Sequence, residues 1–182
     1  MNLKVVTGNP NKAKEVAAYF GDFVVVEHVK LDLPEYRSDD VGEIASGKAK
    51  AAYEAVGEPL IVDDTGFYIR ALNGFPGAYA AFVLDTIGME GVLKLMENKP
   101  ERSAYFETAI AYADEKGIFI FKGRVEGEIT SFPRGEEGFG YDPVFSVGGK
   151  TLAEIPLAEK SAISHRSRAL EEFKKWFVEN RL

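Results

Sequence analysis

The chain has 182 residues, of which 46% are hydrophobic and 28% charged, with 22 Lys and Arg against 29 Asp and Glu, a net charge of −7, and no cysteine. Disulfides, thiolate metal sites and cysteine nucleophiles are therefore excluded. The acidic balance argues against a general nucleic-acid surface, yet leaves room for a local basic pocket that takes a small anion.

The opening MNLKVVTGNP reaches a Gly-Asn-Pro turn too soon for a signal peptide. No apolar run approaches the roughly 18 residues of a membrane span. The expectation is one cytoplasmic domain over residues 1–182, with no membrane and no nucleic-acid partner. In chain order, LKVV at 3–6 reads as a short strand that runs into TGNPNK. A helix follows, with Ala13, Val16, Ala17 and Phe20 at i, i+3, i+4 and i+7. FVVVEHV at 23–29 is a second strand. Ile44, Ala45, Ala49, Ala52 and Val56 mark a second amphipathic helix, capped near Asp39 or Asp40. LIVDD at 60–64 is a third strand that ends on two carboxylates, followed by a turn through Thr65 and Gly66.

Strand–helix–strand–helix–strand implies parallel pairing and an α/β fold. Gly74, Pro76 and Gly77 then form a loop, and residues 83–96 look helical with a break at Gly88. YFETAIAYA and IFIFKGRVEGEI, joined by Asp114, Glu115, Lys116 and Gly117, read as a β-hairpin. The tail, 164–182, is a helix with Leu170, Phe173, Trp176 and Phe177 on one face. The sum is a mixed α/β unit without repeats or linkers.

Four stretches carry candidate chemistry. TGNPNK lies between a strand and a helix, where free backbone N–H groups and the helix dipole favour an anion. Gly8 permits close approach, Asn9 offers an amide, Pro10 suits the first helical turn, and Lys12 adds charge. It lacks the spacing of a Walker A loop, and an ordinary capped turn remains open on this stretch alone. Asp63 and Asp64 repel one another and lose solvation in a core strand, so a reason is needed for both. Paired hard oxygens suit Mg²⁺, with Glu35 as a third carboxylate, while one Asp would suffice to cap a turn. A haloacid-dehalogenase-type phosphatase needs a spacer between its aspartates, which is absent here.

GFGYDPVF at 138–145 places Phe139 and Tyr141 beside Gly138 and Gly140. The aromatics suit stacking on a flat base, or equally a β-turn with core aromatics. EKSAISHRSRAL at 159–170 gathers Lys160, His165, Arg166 and Arg168 around a helix start with Ser164 as N-cap. Cations there oppose the macrodipole, which points to an anion or an acceptor-rich ligand.

TGNPNKAKEV, VDDTGFYIRALNGFPGAY, GFGYDPVF and KSAISHRSRAL occur in order over nearly the whole chain. Together they resemble the inosine/xanthosine triphosphate pyrophosphatase family. The resemblance implies a Mg²⁺-dependent enzyme that splits non-standard purine nucleoside triphosphates (ITP, dITP, XTP) into the monophosphate and pyrophosphate. It further implies a homodimer and an elongated α/β structure, a mixed sheet with flanking helices and two lobes around a central cleft. Carried over, Thr7, Gly8, Asn9, Pro10, Asn11 and Lys12 would cradle the triphosphate, and Glu35 and Asp64 would bind the metal. Asp64 would also be the general base, with Lys12 neutralising phosphate charge. Thr65 stands where serine is usual, and Phe139, Gly140, Tyr141, Asp142, Lys160, His165 and Arg166 would bind base, sugar and phosphates.

The chain departs from the family at Tyr79-Ala80-Ala81-Phe82, where Tyr-Ser-Ala-Arg is common, and at Ser46-Gly47, where Asn-Ala is usual. Two alternatives stand beside this reading: a phosphomonoesterase, and a non-catalytic nucleotide-binding or sensing module.

Overall fold

The order of apolar runs is converted into a sheet with helices on both faces. The computed structural model describes residues 2–21 and 24–181, save the side chain of Ser161. Its first half is β1 (Asn2–Val6), α1 (Pro10–Phe20), β2 (Val25–Val29), α2 (Val41–Val56) and β3 (Leu60–Ile69). The second half is β4 (Pro76–Gly77), α3 (Ala80–Thr86), α4 (Gly88–Leu95), β5 (Ser103–Asp114), β6 (Gly117–Ile129), β7 (Phe145–Val147), β8 (Lys150–Thr151), α5 (Leu157–Ile163) and α6 (His165–Arg181). Of the strand expected at 23–29, Phe23 lies outside the described residues.

Among the described residues the strands form one sheet in the order β2-β1-β3-β5-β6-β7-β8, with β4 paired to β3. β1 runs parallel to both β2 and β3, as the strand–helix alternation requires. β5 and β6 form the long antiparallel hairpin, and β5 pairs with β3 from Leu60 to Ile69. No described helix is long and apolar enough to cross a membrane.

Each face of β3 and β5 has its own filling, set by the two-residue pleat. On one face Leu60, Val62, Ala109, Ala111 and Ala113 meet Ala45, Ala49 and Ala52 of α2. Alanine against alanine lets that helix lie close. On the other face Ile61, Ile110 and Tyr112 meet Val16 and Phe20 of α1 and Leu170, Phe173 and Phe177 of α6. Each large side chain buried there contributes roughly 1.5–3 kcal/mol. A third cluster holds Phe67, Phe106, Tyr141, Val144 and Phe145 around the far end of β3. α2 starts at the expected cap, where Asp40 accepts the Gly42 N–H at 2.6 Å, and Gly57 closes it at φ 71.

Two expectations fail. Pro76 and Gly77, expected in a loop with Gly74, pair as β4 with Tyr68 and Phe67 of β3. Thr65 and Gly66 are not a turn; β3 runs ten residues, through Asp63, Asp64, Thr65 and Gly66, to Ile69. Local composition there suggests a break, but the ladder to β5 is continuous, and that pairing decides the conformation. The residues 83–96 are two helices, as the Gly88 break implies.

Candidate active site

β1 stops before β3 does. It pairs with β3 only at Lys4–Leu60 and Val5–Ile61, because the chain leaves the sheet after Val6 to enter TGNPNK. Beyond that point the β3 edge is open, and Asp63 and Asp64 stand beside the gap. A cleft of about 700 Å³ lies there.

Adjacent strand residues face opposite ways. Asp63 points to the α1–α6 face, where Lys12 Nζ lies 3.1 Å from Oδ2 and the Arg166 guanidinium donates at 3.1 and 3.2 Å. Burial alone would raise its pKa, but Lys12 and Arg166 hold it down to about 2. Asp64 points to the α2 face, where Lys48 Nζ donates to Oδ1 at 2.9 Å. For Asp64 burial wins: its pKa is raised despite Lys12 and Lys48, with Asp63 adding to the rise. Glu35 lies 3.9 Å from the same Lys48 ammonium and is almost fully exposed. Two carboxylates thus converge on one cation position. Among the described residues no cluster of three or more Asp, Glu or His side chains is set to hold a metal.

The TGNPNK turn caps α1. Asn9 Oδ1 accepts the Asn11 N–H at 2.9 Å, and Thr7 Oγ1 accepts the Asn9 N–H at 3.1 Å. Thr7 is itself fixed, its N–H donating to the Val29 carbonyl at 3.1 Å and its carbonyl 2.8 Å from His28 Nε2. The Gly8 amide has no partner among the described residues, and Gly8 lines the cleft. Lys12 also donates to the Asp63 carbonyl at 3.3 Å.

Across the cleft, α6 starts at a Ser164 cap whose Oγ accepts the Ser167 N–H at 3.1 Å. The helix lies close to β6 because Gly123 is there. A Cβ on Gly123 would sit 2.2 Å from the His165 carbonyl oxygen and 2.4 Å from the Ala169 nitrogen. Arg166, only 2% exposed, has its guanidinium engaged within the protein. It pairs with Asp63 and with Glu15 of α1, and its Nη2 donates to Thr65 at 3.3 Å. The ion pairs supply the stability logic that a cation at a helix N-terminus lacks by itself.

Glu15 also accepts from Lys160 at 2.8 Å, and Lys160 donates to Asp142 at the same distance. Asp142 Oδ2 accepts the Phe139 N–H at 2.9 Å, which folds the 138–142 loop. Lys160 lies 4.8 Å from the centre of the Phe139 ring. The two aromatics of that loop part company. Tyr141 packs in the core 4.7 Å from Phe67 and donates its hydroxyl to the Ala80 carbonyl, while Phe139 stays half-buried at the cleft.

Thr7, Gly8, Asn9, Lys12, Glu35, Asp64, Thr65, Phe139, Gly140, Tyr141, Asp142, Lys160, His165 and Arg166 all line the cleft. Pro10 and Asn11 do not; they are exposed and shape the α1 start. Sequence reading missed Lys48 and Glu15. Lys48 carries a signal, for it sits four residues from both Ile44 and Ala52 on the buried stripe of α2. Glu15 carries none. The open arrangement presents cations, a carboxylate of raised pKa and an aromatic ring to one ligand-sized space, which suits a phosphorylated compound with a flat ring.

The Ham1 family model matches residues 3–176. A dITP/XTP pyrophosphatase from Methanopyrus kandleri is 47% identical, over 99% of this chain and 98% of its own length. One from Thermococcus kodakarensis is 45% identical, over 99% of each chain. A HAM1 protein structure from Coxiella burnetii superposes with a TM-score of 0.86 at 32% identity, covering 98% of this chain and 99% of that one.

Proposed function

The chain belongs to the Ham1 family, and we propose that it is a nucleoside triphosphate pyrophosphatase acting on ITP, dITP and XTP, releasing the monophosphate and pyrophosphate. The observation that carries this reading is the meeting of Lys12, Lys48 and Asp64 with Phe139, His165 and Arg166 in one cleft. A triphosphate brings about four negative charges, and catalysis of its cleavage is chiefly positioning and charge neutralisation.

The Gly8 amide, the start of α1 and Lys12 bind the phosphates. Glu35 and Asp64 would hold Mg²⁺, and the fit is supported by their convergence on the Lys48 ammonium, with hard oxygens of the kind this ion takes. When bound, the ion neutralises phosphate charge and fixes the phosphate oxygens. Asp64, with its raised pKa, orients a water and accepts its proton as the oxygen attacks the α-phosphorus. The bond to the bridging oxygen breaks and pyrophosphate leaves.

Phe139 stacks on the base. His165 presents a donor to the 6-oxo group of hypoxanthine or xanthine, with Arg166 held beside it by Asp63 and Glu15; adenine has an amino group there, which leaves that donor unpaired. A homodimer is part of the proposal, supported by the exposed apolar side chains of Phe75, Tyr79, Phe82 and Ile87. The test is a panel of nucleoside triphosphates assayed for pyrophosphate release with and without Mg²⁺. Pyrophosphate from ITP and XTP, and little from ATP, is expected. Free phosphate as the first product would replace this reading with a phosphomonoesterase, and binding without turnover would replace it with a sensing module.

A further inference from the structure

A row of hydroxyls crosses the sheet behind the cleft. Thr65 of β3 and Thr108 of β5 are direct cross-strand partners, and their hydroxyls lie 2.7 Å apart. Thr108 Oγ1 lies 2.6 Å from His165 Nδ1, and Arg166 Nη2 donates to Thr65 Oγ1. Thr108 is fully buried, and its strand neighbour on the other side is Gly123, the residue that seats α6. Phe106, two residues along β5, stacks on the His165 ring at 4.9 Å. The ring is therefore held by its face and by one nitrogen.

The hydrogens in this row can be placed by counting. Arg166 only donates, so Thr65 Oγ1 accepts from it. Thr65 then gives its own hydrogen to Thr108, its one other hydroxyl partner among the described residues. Thr108 has nowhere to send its hydrogen but His165 Nδ1. In the reverse order, with Nδ1–H donating to Thr108 and Thr108 to Thr65, the Thr65 hydrogen has no partner among the described residues. We propose that Thr108 is a positioning residue that fixes His165 as the Nε2–H tautomer, so that the ring presents a donor, and never an acceptor, to the ligand. Nε2 has no partner among the described residues, and His165 lines the cleft. Burial, then the charges of Arg166 and Lys160, push the imidazole pKa well below 6.5, so the ring is neutral and carries one ring N–H.

The consequence is a choice between ligands. A fixed donor accepts the 6-oxo edge and meets the 6-amino edge without a partner, whereas an imidazole free to exchange tautomers would serve both. Selectivity in this sense rests on the nucleotide reading of the cleft; the tautomer itself does not.

The test uses Thr108→Val, which keeps the shape and removes the hydroxyl, with Thr108→Ser as the rescue. The ring nitrogens are assigned by ¹⁵N NMR in the ligand-free protein, a simple spectrum because the chain has two histidines. Hydrogen on Nε2 of His165 is expected in the parent and in Thr108→Ser, with mixed tautomers in Thr108→Val. The preference in kcat/KM for ITP over ATP should drop roughly tenfold in Thr108→Val and return in Thr108→Ser. Hydrogen on Nδ1 in the parent overturns the inference, as does a folded Thr108→Val with unchanged tautomer and selectivity. If no triphosphate is turned over, the function falls while the nitrogen assignment still decides the tautomer. The same assignment on the parent decides it if Thr108→Val does not fold.

Discussion

Asp63 and Asp64 are neighbours in the chain and belong to opposite sides of the sheet. Asp63 is locked to Lys12 and Arg166, while Asp64 faces Lys48 at the cleft. The two carboxylates therefore differ in their surroundings: one ties α1 and α6 to the sheet, the other stands at the cleft with a raised pKa.

Asp63 should make stability depend on acid. Its folded pKa, about 2, lies below the ordinary carboxylate value, so its contribution is fully present above the unfolded pKa and is lost as pH falls through the folded one. The window is roughly pH 4 to 2, and the contribution is about 2 kcal/mol. Urea midpoints measured across that window should fall for the parent, and Asp63→Asn should flatten that part of the curve from a lower starting stability. An Asp63→Asn protein with parental stability at pH 7 and an unchanged acid slope would contradict the role.

Lys12→Ala should act twice. It removes a cation from the phosphate turn, so affinity for a non-hydrolysable triphosphate analogue should fall at least tenfold. It also strips a counter-charge from buried Asp63, so the thermal midpoint should fall by several degrees. Calorimetric titration and thermal melts read the two effects separately. Parental affinity would remove Lys12 from the phosphate site.

Glu15→Gln tests the strap between α1 and the Lys160 and Arg166 side of the cleft. Glu15 accepts from both Lys160 and Arg166, and losing its charge leaves two buried cations sharing Asp63 and Asp142. A loss of about 3 kcal/mol in unfolding free energy is expected. A narrower preference for ITP over ATP should accompany it, since Arg166 is no longer held. Unchanged stability and selectivity would show the strap to be dispensable.

Much of this was readable in advance, and the failures have physical causes. Alternating strand and helix periods gave the parallel β1–β3 core, and the hairpin of β5 and β6 followed from its aromatic and β-branched runs. The continuation of β3 was hidden because Asp-Asp-Thr-Gly has turn composition, and only the distant strand β5 keeps it extended. The partners of Arg166, Asp63 and Glu15, are hidden from the sequence because they lie 103 and 151 residues away, beyond any local pattern. Lys48 was legible in principle, as a charge on an apolar helical stripe. Tyr141 and Phe139 cannot be told apart by type; only packing separates a core ring from one at the cleft.

The central claim is that Asp64 activates water at a triphosphate, and Asp64→Asn tests it most directly. Asparagine keeps the size and can still bond to Lys48 through its carbonyl oxygen, so the fold should survive, with a ligand-free thermal midpoint within about 3 °C of the parent. Pyrophosphate release at saturating ITP and Mg²⁺ should fall by about 10²–10⁴-fold, the range attributed to a general base. A folded Asp64→Asn protein that releases pyrophosphate at the parental rate would contradict the account.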